Sequence, residues 1–584
     1  MSRDNDPTMF GALLAEAVDA HARGDVRATR SRSRALLVRL PADAAAWRVL
    51  SYACLDDPRL ALTILLRAVA AASDSPNTWT DIASLAQSGG APSVAPRALK
   101  RAAALDPSGA ARWRDLGMIL NSTDGGPAYL RRSLSIARGD ALTLRVEAET
   151  RFARGEDVAA AVSARQALLG LPADAGALLV HGLVAQRRQE LSVARSAFGR
   201  VAAVAPMMAA AWHNLAVAAS ASGDMMTSDR AMRRALVADP AFSHALLLSG
   251  NRRIEVGDVD GAAHRFHRTR ASAPGFPEVE TNLGMISLLR GDYVAGWRGF
   301  SARWHCASHS RFKPTPGARK WNGQTDRKGR LLLRSEPEQA LGDTLQFARF
   351  IGAAADRVGE LIVECAATLH ELIGRMPGVI RLVDVGADPG PADWSCGLMD
   401  LGQIFAPTLA SLPHPSAYLV ADPSGVSAWS AQIASILHPR IGLCWRGSSR
   451  FRMDRLRSPG LAAMTPLLRR ASGHVLSLTF DRRPDEELPS DVADPMLLIS
   501  DMADTAALIS ALDLVITSDT AVAHLAGALG RPTWVLLHDP PDWRWLRGRA
   551  DSPWYSSVRL FRQSRPGDWS SAIGAVLEAL DSRL

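Results

Sequence analysis

Through the middle of the chain's first half, small, bulky and turn-forming residues recur at a step of 34 positions. Prolines stand at Pro172, Pro206, Pro240 and Pro274, and a small residue recurs at Gly182, Ala216, Gly250 and Gly284. A bulky apolar residue keeps the same step at Phe198, Met232, Phe266 and Phe300. Gly155, Gly223, Gly257 and Gly291 share it too, with Gln189 in the missing slot, and each is followed by an acid. This pattern predicts two packed helices per unit. The small residue lets the first helix approach the second, glycine supplies a positive φ at the turn, and the acid sits at the start of the second helix. Proline closes the unit because it cannot extend a helix. Upstream the pattern is degraded, although Gly24-Asp25 precedes Pro41 at the offset that separates Gly223-Asp224 from Pro240. The predicted array runs over 8–304 and holds about eight units by its period.

The character changes after Trp304. Residues 305–329 are rich in proline, glycine and basic side chains and read as a connector. Beyond them, short β-rich runs alternate with helical stretches: RLLLRS, ELIVECA, VIRLVDV, IGLCWRG, HVLSLTF, MLLIS, LVITSD and TWVLLH. Strands alternating with helices predict a mostly parallel, doubly wound sheet. A break at 421–440 divides the runs into two Rossmann-like halves, 330–430 and 438–584, with a cleft between them. The expected fold is therefore multidomain: an all-α solenoid followed by an α/β body.

The most informative stretch is 514–533, LVITSDTAVAHLAGALGRPT. A β-branched run meets an Asp-Thr pair and a small-residue helix, so Asp519, Thr520 and His524 gather at a strand-to-helix junction. Ligands of parallel sheets sit beyond the carboxyl ends of the strands, where helix N-termini attract anions. A second junction, LLLRSEPEQALGDTLQF, puts Asp343 at or beside a helix N-cap. Capping alone accounts for an aspartate there; a carboxylate at the cleft mouth accounts for it equally. A third, IGLCWRGSSRFRMDRLRS, clusters Arg446, Arg450, Arg452, Arg455 and Arg457 after a strand. One or two of these would face a leaving phosphate and the rest would be a solvated loop. In the solenoid, Asn214 and Asn282 occupy one helix position two repeats apart, with Leu248 between them. They form either a partial backbone-gripping ladder for an extended peptide or ordinary surface polarity. Trp543, Trp545, Trp554 and Trp569 either wall a pocket or pack the final helix, the latter being the stronger reading.

Composition narrows the classes. A chain of 584 residues exceeds one hydrophobic core, and 47% apolar with 22% charged residues is ordinary for a globular protein. The formal charge of +8 permits an acidic partner, but the basic residues are spread along the chain and no basic, aromatic-interleaved helix points to nucleic acid. Five scattered cysteines without a CxxC pair suggest neither a disulfide framework nor a zinc site. The N-terminus lacks a signal-peptide pattern and no run reaches the ~20 apolar residues of a membrane helix. A cytoplasmic protein is expected.

Together, EQALGDTLQFARF, CWRGSS with RLRS, ADTAALISALDLVITSDTAVAHLAGALGRPTWVLL and DWRWL with DSPWYSSVRLFRQ resemble bacterial tetratricopeptide-fused glycosyltransferases related to the heptosyltransferases. The resemblance covers residues 321–584, and the repeats add the usual N-terminal half. It implies a GT-B fold, metal-independent chemistry and no cofactor beyond a nucleotide-sugar substrate bound by the C-terminal half. By motif it implies Asp343 as general base. Asp519, Thr520, His524 and Arg457 would bind the donor, and Arg446 and Ser448 fall where donor-phosphate contacts are made. Two departures stand out: Ala340 replaces a usual glycine beside Asp343, and CWRGSS differs from the common WAGN, which leaves Arg446 and Ser448 the weaker assignments. The layout implies transfer to a protein Ser or Thr held by the repeats, and flagellin is the acceptor that related architectures suggest. Two alternatives stay open: transfer to lipopolysaccharide or another glycan, and a repeat scaffold with an inactive transferase domain.

Overall fold

The computed structural model describes residues 7–71, 75–88, 91–121, 125–307, 315, 317–336, 341–413, 417–449, 451 and 453–582. Ala340, Arg450 and Arg452 lie outside them, as do 308–314 and 316 of the expected linker. The chain divides into two compact units, Met1–Pro240 and Ala241–Leu584.

The first unit is a run of antiparallel helix pairs, from Pro7–Ala22 with Val26–Arg39 to Ala209–Ala221 with Met225–Ala238. Two further pairs, Ser243–Glu255 with Val259–Ser272 and Pro277–Leu289 with Tyr293–Phe300, open the second unit. The described residues thus hold nine pairs, one more than the period suggested. The extra boundary carries no proline: Gly139 turns the chain at φ 77° and Asp140 caps the next helix by accepting from Thr143 N–H. Within each unit the small-to-bulky logic holds. A Cβ on Gly182 would lie 2.6 Å from the Phe198 ring, so that slot admits no larger residue without a shift. Gln189, in the slot where other repeats have glycine, adopts a positive φ of 61°.

The α/β body has ten strands: β1 (Arg319–Lys320), β2 (Asp326–Arg334), β3 (Val358–Cys365), β4 (Arg381–Asp384), β5 (Trp394–Gly397), β6 (Ile441–Cys444), β7 (Val475–Ser477), β8 (Leu514–Ser518), β9 (Thr533–Leu537) and β10 (Val558–Arg562). They form two five-stranded sheets, ordered β1-β5-β2-β3-β4 and β10-β9-β8-β6-β7, and every pairing is parallel. In the second sheet β6 leads out to β7 on one side, while β8 returns on the other. The same reversal separates β3 from β5 around β2. Each half therefore has a topological switch point, between β6 and β8 and between β2 and β5, where a crevice opens at the strand ends.

Four boundaries differ from expectation. The segment read as linker already contains β1 and the start of β2. MLLIS is a 3-10 turn, Pro495–Leu498, with Leu497 87% exposed, so its apolar run is not a buried strand. The chain enters the second half before 438: Tyr418 and Leu419 N–H both donate to Ala528 O, and the helix Pro423–Gln432 packs on Met502–Ser510. The solenoid does not end as a separate body at 304, because its last pair is part of the core of the second unit. There Trp297 Nε1 donates to Ala406 O at 2.9 Å, and its ring meets those of Phe347 and Trp543 edge-on.

Candidate active site

A cavity of about 1330 Å³ is walled by the two halves and the last repeat. On the C-terminal side, β8 is buried along its whole length and delivers Asp519 and Thr520 to its carboxyl end. Thr520 takes the N-cap position of the helix Ala521–Ala528 without making a side-chain cap; its hydroxyl lies 3.1 Å from Thr517 Oγ1. The first amides of that helix are thus not satisfied by a capping side chain, and they sit beside the cavity.

Burial beside Asp542 pushes the Asp519 carboxyl up to about 6, against the opposing pull of Arg457, the Trp545 indole and Arg544. His524 lies one turn into the helix. Its ring stacks on Trp545 with centroids 5.3 Å apart, and Nδ1 is 2.9 Å from the Tyr555 hydroxyl. Burial, reinforced by Arg544, holds its pKa down to about 3, so the imidazole is neutral at physiological pH.

Across the switch point, the end of β6 supplies Arg446, only 7% exposed. Its Nε has no hydrogen-bond partner among the described residues, although it lines the cavity. A buried N–H without an acceptor is costly, and beside a cavity it calls for an anion. Arg457 also lines the cavity, but it pairs with Asp454 at 3.2 Å and lies 4.5 Å over the Phe451 ring. Ser448 is on the exposed lip of the same loop. Arg455 faces away from the phosphate role and pairs at 2.9 Å with Glu255 of the penultimate repeat.

On the N-terminal side, Asp343 is in the first turn of the helix Leu341–Phe347 and lines the cavity with a third of its side chain accessible. It is not a simple cap. Its Oδ1 accepts from Arg544, which also donates through Nε to Gln346 Oε1 at 2.6 Å and through Nη1 to Asp542 Oδ1 at 2.8 Å. Burial, with Glu336 and Asp542 nearby, pushes the Asp343 carboxyl above the usual range while Arg544 and Arg303 oppose the shift.

The crevice between β2 and β5 is filled by the protein itself. Arg303, 2% exposed and carried just past the last repeat, pairs with Glu336 after β2 and with Asp400 after β5, both at 2.6 Å. Its guanidinium also lies over the Phe300 and Trp304 rings.

The structure thus brings Asp343, Arg446, Ser448, Arg457, Asp519, Thr520 and His524 to one cavity. The asparagines behave differently. Asn282 Nδ2 donates to Asn251 Oδ1 at 2.9 Å, a neighbour off the predicted step, and Asn214 is half-buried in the first unit. Sequence reasoning missed Arg544, Arg303 and Tyr555. Arg544 sits within the quoted DWRWL run, but nothing local marks its partners. Three of the C-terminal tryptophans do not pack the last helix, and of these Trp543 lines the cavity. Trp543 and Trp554 stack among Tyr293, Trp297 and Phe347, and Trp545 backs His524.

Residues 497–552 match glycosyltransferase family 9 (heptosyltransferase). Over 414 residues the chain is 29% identical to Protein FlbA of Caulobacter vibrioides, spanning 64% of this chain and 67% of that one. Among solved structures it is similar to the APC/C hetero-tetramer Cut9-Hcn1, at 14% identity and a TM-score of 0.36, covering 47% of this chain and 55% of that one. It is also similar to PilW, a type IV pilus biogenesis factor, at 20% identity and a TM-score of 0.33, covering 36% of this chain and 98% of that one. The second unit thus carries a segment similar to heptosyltransferase-type glycosyltransferases, and it follows helix pairs that repeat with a 34-residue period.

Proposed function

We propose that the protein transfers a sugar from a nucleotide-sugar to a Ser or Thr hydroxyl of a protein held by the repeats. One observation carries this reading: the cavity that gathers Asp343, Arg446 and the Asp519–His524 junction is also walled by Thr281 and Met285 of the last repeat's first helix. Those two are four residues apart, so one face of a repeat helix looks into the reaction space. A polypeptide lying on that face would present its hydroxyl there.

The step is a single displacement without a metal. The Asp343 carboxylate takes the acceptor hydroxyl proton as the oxygen bonds to the anomeric carbon, and the bond from that carbon to the phosphate oxygen breaks. The departing phosphate is received by Arg446 and the amides that follow Thr520, with Arg457 as a second cation. His524, neutral, offers a hydrogen bond to phosphate or ribose. Flagellin is the first acceptor to test.

Intact-mass comparison of flagellin and other surface proteins, in cells with and without the gene, decides between acceptors. The expected result is a mass increment lost with the gene and not restored by Asp343→Asn, whose turnover should fall about 10²–10⁴-fold. Unaltered proteins with altered lipopolysaccharide would replace this reading with the glycan one.

A further inference from the structure

The cavity holds an arginine that no part of the displacement above uses. Arg544 is 8% exposed and belongs to the 3-10 turn Trp543–Trp545, between β9 and β10 of the C-terminal half. Its guanidinium lies 4.4 Å over the Trp543 ring and donates to three oxygen acceptors, with Met399 Sδ a fourth, weaker one at 3.7 Å. One, Asp542, is in its own turn, whereas Asp343 and Gln346 stand three apart on the first helix of the opposite half. Side chains three apart share a helix face, and a rigid guanidinium fork that engages both fixes how that face is presented. Only Asp343 Oδ1 is engaged among the described residues, which leaves Oδ2 for an acceptor hydroxyl.

We infer that Arg544 is a positioning residue for Asp343: from across the cleft it fixes the carboxylate's orientation at the cavity wall and supplies its counter-charge. The inference rests on the reading of Asp343 as general base. The other charged groups facing Asp343 are Asp542 from the Arg544 turn, Glu336 from the end of β2 and Arg303 from the segment after the last repeat. His524, beside Gly342, is neutral. Glu336 and Asp542 raise the Asp343 pKa, while Arg544 and, more weakly, Arg303 lower it. Loss of Arg544 should therefore move Asp343 toward protonation, and loss of Asp542 should move it the other way.

The test needs no substrate. Full-length protein carrying [γ-13C]aspartate is titrated, with the Asp343 resonance identified by its loss in Asp343→Asn. Arg544→Gln is expected to raise the Asp343 midpoint by about one pH unit or more. Asp542→Asn should lower it, and Arg544→Lys should restore it most of the way. Opposite shifts are a signature that a merely structural role would not give. Arg544→Met, which removes the charge and keeps the length of the side chain, keeps the test decisive if Arg544→Gln does not fold. A midpoint that stays at the wild-type value in Arg544→Gln, or in Arg544→Met where Arg544→Gln does not fold, would overturn the inference. The base assignment fails separately: if the shifts occur but Asp343→Asn still transfers sugar, Arg544 sets the charge of a carboxylate that is not the base.

Discussion

At the scale of single residues, the carboxylate beside the proposed phosphate site should make binding pH-dependent. Asp519 titrates at about 6 because it is buried next to Asp542. Its folded pKa lies above the ordinary carboxyl value, so the folded state binds the extra proton and stability rises as pH falls through that window. The same proton removes a negative charge from the wall that meets a nucleotide's phosphates. Affinity for a nucleoside diphosphate should therefore rise as pH falls through about 6, and Asp519→Asn should flatten the dependence. Calorimetry of both proteins with a panel of nucleoside diphosphates checks this, since the nucleotide's own titration is common to the pair. Equal slopes in the two proteins would remove Asp519 from the site. Asp519, Thr520 and His524 were legible in the sequence because they are neighbours, placed together by one strand-to-helix turn. Arg544 was not, because Asp343 and Gln346 are 201 and 198 positions away. Arg303 was hidden for the same reason, its acceptors lying 33 and 97 positions off.

At the scale of elements, the repeat slots that look alike in sequence differ in what they face. A Cβ on Gly250 would strike the Phe266 ring, a side chain that can give way by rotation. One on Gly284 would meet backbone: Phe300 N, and Gly299 C at 2.6 Å. Gly284→Ala should therefore cost more than Gly250→Ala, within the roughly 1–3 kcal/mol of an overpacked core. Chemical unfolding of the two variants checks the order, and equal costs would mean that the last helix pair can separate freely. The 34-residue period made these slots visible but not their neighbours. Strands followed a similar rule. Continuous apolar runs such as those of β2, β3 and β8 could be read directly, whereas β5 has only four residues, WSCG, and no pattern to betray it. MLLIS has the composition of a strand, yet Leu497 and Leu498 find no sheet to enter and are 87% and 60% exposed.

For the whole second unit, the contrast between its two crevices explains where the solenoid stops being separable. Both sheets reverse their strand order and so both open a crevice. One holds Arg446, whose Nε has no hydrogen-bond partner among the described residues; the other is closed by Arg303, which arrives from the last repeat and pairs with Glu336 and Asp400. Without it those two carboxylates would lose their buried arginine partner, a loss of about 3–5 kcal/mol for a broken buried pair. The same segment brings Trp297 and Phe300, 2% and 6% exposed, against Trp543. Removing a buried aromatic of this kind costs a further ~3–5 kcal/mol. Several such losses exceed the whole stability of an ordinary domain, about 5–15 kcal/mol. A chain starting at residue 305 should therefore fail to fold, although the sequence places its domain boundary there. One starting at residue 241, which keeps the last two helix pairs, should give a cooperative thermal transition and bind nucleotide. Cooperative unfolding of the 305–584 chain would show that the repeats only decorate the body. Its failure beside a folded 241–584 chain would make the last repeat part of the catalytic unit, with its Thr281 and Met285 held at the cavity by the contacts that stabilise the fold.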